Sequence, residues 1–189
     1  MQPSSKSKIW TIPNLLSLVR IALIPAIVWS YLNREDGVLA GCLIVVSGLT
    51  DLADGIIARK FHQISDLGKA LDPIADKLTQ GAVLFCLLAV FPKMALPLSL
   101  LAVKELLGGV TGLMVIRKTG NVYGARWYGK IATVVLDAVM LTHVFWRELP
   151  AGLSDASIYL CSVLIAASLA GYAVRNVRLM RAGVNAKKP

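Results

Sequence analysis

Histidine and cysteine are scarce in this chain, with two and three copies among 189 residues. Cys42, Cys86 and Cys161 each stand alone in an apolar stretch, which argues against a disulfide framework or a thiolate metal site and for packing roles. His62 and His143 have no second metal-type ligand at a suggestive spacing, so a turn and a core position suit them. Acid is also in short supply, with eleven Asp and Glu against twenty Lys and Arg, for a net charge of +9. Charged residues make up 16% of the chain and hydrophobic ones 56%, and the mean hydropathy is +0.66. An ordinary water-soluble domain is excluded by that balance. No internal repeat, low-complexity tract or long linker divides the sequence, so a single domain over residues 1–189 is expected. The opening MQPSSKSKIW is followed by an apolar run broken by Pro13, Arg20 and Pro25, with no small-residue cleavage site. A removable signal peptide is not expected there.

What the chain has in quantity is apolar sequence of spanning length. A transmembrane helix needs roughly 20 apolar residues. Six runs approach that, at about 14–33, 38–60, 72–91, 94–116, 127–146 and 155–177. The fold class predicted is all-α, an integral membrane bundle of six transmembrane helices. Residues 1–13 form an N-terminal interfacial segment with Trp10 at headgroup level, and 182–189 form a flexible tail. The basic residues follow the loops of this topology. Lys6 and Lys8 precede the first run, Arg59 and Lys60 end the second, and Lys69 lies between the second and third. Arg117, Lys118 and Arg126 lie between the fourth and fifth, Lys130 lies at the start of the fifth, and Arg175, Arg178, Arg181, Lys187 and Lys188 lie at the end of the chain. Only Arg34, Lys93 and Arg147 fall on the other side. The asymmetry predicts a multi-pass protein of the cell membrane with both termini cytoplasmic. It also accounts for the positive charge without nucleic acid, through topology and attraction to anionic headgroups.

Against this background four of the eleven acids fall together, at Asp51, Asp54, Asp72 and Asp76. A carboxylate near hydrocarbon is costly and marks a functional site by default. Asp51 and Asp54 are spaced i, i+3 and Asp72 and Asp76 i, i+4, so each pair lies on one face of a helix. A turn near Phe61–Ser65 would bring Asp51 opposite Asp76 and Asp54 opposite Asp72, on the cytoplasmic side. Four carboxylates need cations, and oxygen ligands without His or Cys select Mg²⁺ or Mn²⁺ over zinc. An ion or proton pathway in a transporter would also use intramembrane acids.

The segment Asp51–Asp76 fits D-x2-D-G-x2-A-R-x8-G-x3-D-x3-D at all eight fixed positions: Asp51, Asp54, Gly55, Ala58, Arg59, Gly68, Asp72 and Asp76. This pattern resembles the signature of the CDP-alcohol phosphotransferase family, and IPNLLSLVR (Ile12–Arg20) looks like that family's first helix. The resemblance implies transfer of a phosphatidyl group from a CDP-linked lipid, CDP-diacylglycerol, to an acceptor hydroxyl, with release of CMP. It implies two divalent ions, Mg²⁺ or Mn²⁺, on Asp51, Asp54, Asp72 and Asp76, with Asp76 also the catalytic base. The donor would lie against Asp51, Gly55, Ala58, Arg59 and Gly68, and the protein would be a homodimer. Within the family the run LDPIADKL looks most like the phosphatidylglycerophosphate synthase branch, whose acceptor is glycerol 3-phosphate. That dianion needs cations, and Arg117, Lys118, Arg126, Lys130 and Arg175 are the candidates. The chain departs from the branch in having Lys104–Glu105 where Arg-Glu is common, and in the run IATVVLD after Lys130. A cardiolipin synthase of the same family, accepting phosphatidylglycerol, is the alternative.

Other polar residues have open assignments. Arg20 pairs within the bundle, meets lipid phosphate or snorkels to the surface. Lys77 balances the acids or contacts ligand phosphate. Lys104 and Glu105, adjacent on one helix, point apart rather than pairing, with one facing the acceptor cavity. The G-x3-G spacing of Gly108 and Gly112 suits helix packing or a dimer contact. Asp137 suits a buried hydrogen bond to another span.

Overall fold

The computed structural model describes residues 11–60, 66–119 and 127–185; within these, the side chains of 12, 13, 52, 54–60, 66–70, 118, 119 and 181–185 lie outside the description. The predicted interfacial segment, apart from Thr11 to Pro13, and the turn at Phe61–Ser65 with His62 lie outside the described residues. Six α-helices follow in order: α1 (Ile12–Leu32), α2 (Gly37–Lys60), α3 (Asp66–Leu88), α4 (Ala95–Thr119), α5 (Trp127–Phe145) and α6 (Ala151–Asn185). A single 3-10 turn, Pro92–Met94, leads into α4. The all-α expectation holds among the described residues.

Local chemistry sets the ends of α1 and α2. Thr11 caps α1, its hydroxyl accepting from the backbone N–H of Asn14, and a proline occupies the first turn, where a missing N–H costs nothing. Between α1 and α2 the chain turns through Glu35 at φ 53°, and Asp36 Oδ1 accepts the Leu39 N–H at 2.8 Å to cap α2.

Among the described residues four helices are long and apolar enough to cross a membrane: Asn14–Leu32, Pro92–Arg117, Trp127–Phe145 and Ala151–Met180. The predicted six spans become six helices of which four meet that standard. α2 offers only a shorter apolar run, Gly37–Asp51, and α3 offers none. The reason is the acid cluster, which occupies the second half of α2 and the first half of α3. Two boundaries also move: α3 starts at Asp66, before the apolar run proper, and α6 continues to Asn185, into the stretch expected to be a tail. No proline interrupts Ala182–Asn185, and the single Gly183 there weakens a helix without forbidding it.

The chain divides into two compact units, Met1–Val90 with Leu141–Arg147, and Phe91–Met140 with Glu148–Pro189. In the first, α1 packs along both α2 and α3. Its core is formed by Ile27, Tyr31, Ala40, Val83, Leu84 and Leu87. The last turn of α5 closes on the start of α2 through glycine: a Cβ on Gly37 would stand 2.3 Å from the Val144 carbonyl oxygen, and one on Gly41 2.4 Å from the Phe145 ring. In the second unit α4 packs along α6. Thr111 Oγ1 accepts from Asn176 Nδ2 at 2.7 Å, and buried Ser154, Ser162 and Ser168 line α6. Small and hydroxyl-bearing residues on the inside, with Phe85, Leu106, Val134 and Val163 exposed, invert the pattern of a water-soluble protein. This is a membrane protein.

Candidate active site

The first half of α1 carries polar residues on its buried face, with Asn14, Ser17 and Arg20 three residues apart and all deeply buried. From this face Arg20 reaches both acid-bearing helices. Its Nη2 lies 2.6 Å from Asp51 Oδ1 on α2, and its Nη1 lies 3.2 Å from Asp76 Oδ1 on α3. Ser17 Oγ donates to Asp72 Oδ1 on α3. Three of the four predicted aspartates are therefore held from one helix. Arg20 is only 1% exposed, whereas the Asp51 and Asp76 side chains are 37% and 50% exposed. The fixed cation is inside and the carboxylates face outward.

The predicted pairing of Asp51 with Asp76 is seen as a shared guanidinium. Of the three readings of Arg20, pairing within the bundle is the one realised. Ser17 had no sequence signal of its own. Its spacing from Asn14 and Arg20, a polar stripe on an otherwise apolar helix, would have exposed it. Asp54 lies on α2 one turn beyond Asp51, but its side chain, like those at Gly55, Ala58, Arg59 and Gly68, lies outside the described residues. Among the described residues no group of three or more His, Cys, Asp or Glu is arranged to hold a metal ion. The donor set is nonetheless the one that hard divalent cations require, carboxylate oxygen with no nitrogen or sulfur competitor. Lys77 Nζ donates to Gln80 Oε1 at 3.3 Å along its own helix.

The basic residues predicted for an acceptor lie in the second unit. Arg117 and Lys130 are exposed, at the ends of α4 and α5, while the Lys118 side chain and Arg126 lie outside the described residues. Among those described, Arg175 is the one held by its surroundings. Its Nε donates to Asn176 Oδ1 at 3.4 Å, and its guanidinium lies 5.0 Å over the Tyr172 ring. Tyr172 packs edge-on against Tyr128 at 5.2 Å. Gly129 makes this possible, since a Cβ there would stand 2.3 Å from the Tyr172 hydroxyl.

Other expectations are corrected. Lys104 and Glu105 do pair, Nζ to Oε1 at 3.3 Å, because the long lysine stem bends back although the Cβ atoms diverge. Gly108 and Gly112 meet nothing within 4 Å of a built Cβ, so no helix packs on them among the described residues. Cys42 is exposed rather than packed, while Cys86, Cys161 and His143 are buried as expected.

The model of the CDP-alcohol phosphatidyltransferase family matches residues 10–174. The chain belongs to that family. Among curated relatives it is similar to the CDP-diacylglycerol–glycerol-3-phosphate 3-phosphatidyltransferase of Rickettsia bellii, 41% identical over 104 residues, covering 54% of this chain and 56% of the relative. The Bacillus subtilis protein of the same name is 34% identical over 152 residues, covering 71% of this chain and 78% of the relative. A rat cardiolipin synthase (CMP-forming) is 50% identical over 76 residues, 40% of this chain and 25% of that protein. The chain thus spans little more than half the length of the first relative and a quarter of the rat one.

Proposed function

We propose that this protein transfers a phosphatidyl group from CDP-diacylglycerol to the hydroxyl of glycerol 3-phosphate. The observation that carries the reading is the grip of Ser17 and Arg20 on Asp51, Asp72 and Asp76, three fixed positions of a fully matched eight-residue signature, in a chain of this family. The names of the Rickettsia and Bacillus relatives favour glycerol 3-phosphate. The Bacillus match covers 71% of the chain, more than either unit holds, while the rat match covers 40%. Phosphatidylglycerol, the acceptor of a cardiolipin synthase, is the second reading.

In the proposed reaction the acceptor hydroxyl oxygen forms a bond to the phosphatidyl phosphorus, and the bond from that phosphorus to the CMP oxygen breaks. Asp76 takes the hydroxyl proton. Asp51, Asp54, Asp72 and Asp76 would hold two ions, Mg²⁺ or Mn²⁺, in keeping with the divalent-metal dependence general in the family. When bound, such ions offset the charge of the pyrophosphate and of the oxygen that leaves. Gly55, Ala58 and Gly68 offer small surfaces to the nucleotide, and Arg59 a cation to its phosphates. Arg175, held against Tyr172 and Asn176, is the leading candidate for the acceptor phosphate, with Arg117, Lys118, Arg126 and Lys130 as further cations. The enzyme works as one domain of six spans in the cell membrane. Both termini and the aspartates are cytoplasmic by the distribution of basic residues. The open face at Gly108 and Gly112 supports a homodimer.

Purified protein incubated with CDP-diacylglycerol and a panel of acceptors tests the reading. CMP release with glycerol 3-phosphate and formation of phosphatidylglycerophosphate are expected. Turnover with phosphatidylglycerol alone hands the assignment to cardiolipin synthesis, and solute flux in liposomes without CMP release to a transporter.

A further inference from the structure

The carboxylates are not arranged by their own helices alone. A guanidinium that is 1% exposed is costly in a low-dielectric interior unless it is fully partnered. Here its two terminal nitrogens are divided between helices, Nη2 to Asp51 on α2 and Nη1 to Asp76 on α3. The guanidinium is planar and rigid, so this division sets the separation of the two bonded oxygens. One turn earlier on the same face, Ser17 fixes one oxygen of Asp72. In all three cases the bond falls on Oδ1, and among the described residues no bond is found on the second oxygen of these carboxylates.

We infer that Arg20 and Ser17 on α1 are positioning residues, which set the spacing and orientation of Asp51, Asp72 and Asp76 for divalent-cation binding. The inference rests on the reading of the cluster as a metal site. The fork, rather than its charge alone, is the essential property of Arg20. A lysine would supply the charge as a point on a flexible stem and could not fix two oxygens at a set distance. For Ser17 the essential property is a hydroxyl at Cβ. Neither residue touches the reacting atoms. Both act through the carboxylates they hold.

The test measures Mn²⁺ binding to the purified full-length protein, by the paramagnetic resonance signal of free Mn²⁺, beside CMP release as a function of Mn²⁺ concentration. Arg20→Lys is expected to fold, to bind Mn²⁺ at least about tenfold more weakly, and to recover only part of its turnover at saturating Mn²⁺. Ser17→Ala is expected to weaken Mn²⁺ binding about tenfold, and Ser17→Thr to restore it. Wild-type Mn²⁺ affinity and turnover in Arg20→Lys would show that charge alone suffices and overturn the inference. Should Arg20→Lys fail to fold, Ser17→Ala decides. Unchanged Mn²⁺ affinity there makes the polar face of α1 a packing surface and nothing more. Wild-type protein that binds no Mn²⁺ removes the metal reading, and this inference with it. Wild-type protein that binds Mn²⁺ while every variant matches it removes this inference only.

Discussion

Replacing Asp76 and Asp51 separately by asparagine should give two different failures, because Arg20 holds them unequally. Asn is nearly isosteric and its carbonyl oxygen can still accept from the guanidinium, so what is lost is the charge. At Asp76 the contact is 3.2 Å and the side chain is 50% exposed, so its share in stabilising Arg20 is small. Asp76→Asn should therefore remain folded and keep most of its affinity for CDP-diacylglycerol. Its turnover should fall by roughly 10² or more, the scale of a lost general base. At Asp51 the contact is 2.6 Å with 37% exposure, the tighter half of the fork. A hydrogen bond to a charged group is worth about 1.5–3 kcal/mol, and discounting for solvent puts the loss in Asp51→Asn at about 1–2 kcal/mol. That variant should unfold earlier in detergent and lose metal and donor binding together. Calorimetric titration with a CDP-lipid, thermal unfolding and CMP release separate the two cases. Normal turnover in Asp76→Asn refutes the assignment of the base. Equal loss of donor affinity in both variants refutes the division of roles.

Four further outcomes are expected. Excess EDTA should abolish CMP release, with Mg²⁺ or Mn²⁺ restoring it; full activity in the chelator would remove the metal site. Arg175→Ala should raise the KM for glycerol 3-phosphate roughly ten- to a hundredfold with little change for the donor, the value of one charge-assisted hydrogen bond, and steady-state kinetics with both substrates will read it. Gly37→Ala should destabilise the fold by about 1–3 kcal/mol, because its Cβ would meet the Val144 backbone oxygen at 2.3 Å, while Gly48→Ala on the same helix meets nothing and should stabilise by up to about 1 kcal/mol in the same unfolding assay. Gly112→Leu should leave the monomer folded, since the site is open in the chain, and should shift a homodimer toward monomer in light scattering.

The helices were legible because apolar runs and charged loops alternate so plainly. The number of spans was less so. α2 and α3 give half their length to the acid cluster, and a run that is half polar can be a helix without being a hydrophobic span. The aspartates were legible because acid is rare here and costly. Their holder was half legible: Arg20 stood out as a charge in an apolar run, but which carboxylates it meets depends on how α1 lies against α2 and α3. Ser17 was legible only through its spacing from Asn14 and Arg20, since a serine in an apolar helix ordinarily bonds its own backbone, as Ser30 does to the Ala26 carbonyl at 2.7 Å. The pairing of Lys104 with Glu105 was misjudged for a similar reason. Helical spacing constrains Cβ positions, and a four-carbon stem reaches well beyond them.

Charge balance ties these observations to the proposed chemistry. Four carboxylates in one region carry four formal negative charges, and Arg20 and Lys77 supply two positive ones, leaving aside Arg59, which is assigned to the donor phosphates. The remaining negative charge cannot be spread into hydrocarbon, and among the described residues water reaches it through the exposed portions of Asp51, Asp72 and Asp76. Two divalent ions would turn the deficit into a surplus of two positive charges. A CDP-lipid carries two negative charges on its pyrophosphate, so the loaded site and the donor are matched and the empty site and the donor repel. Metal and donor should therefore bind as one cooperative event, each raising the affinity of the other by the same factor. A buried Arg20 suits this arrangement. In the proposed site it would neutralise one acid permanently, from the protein side, and leave the outward carboxylate oxygens to ligands that come and go. Had α1 carried a neutral residue there, the empty cluster would hold one more uncompensated charge and the two helices would repel at the place where their spacing matters most.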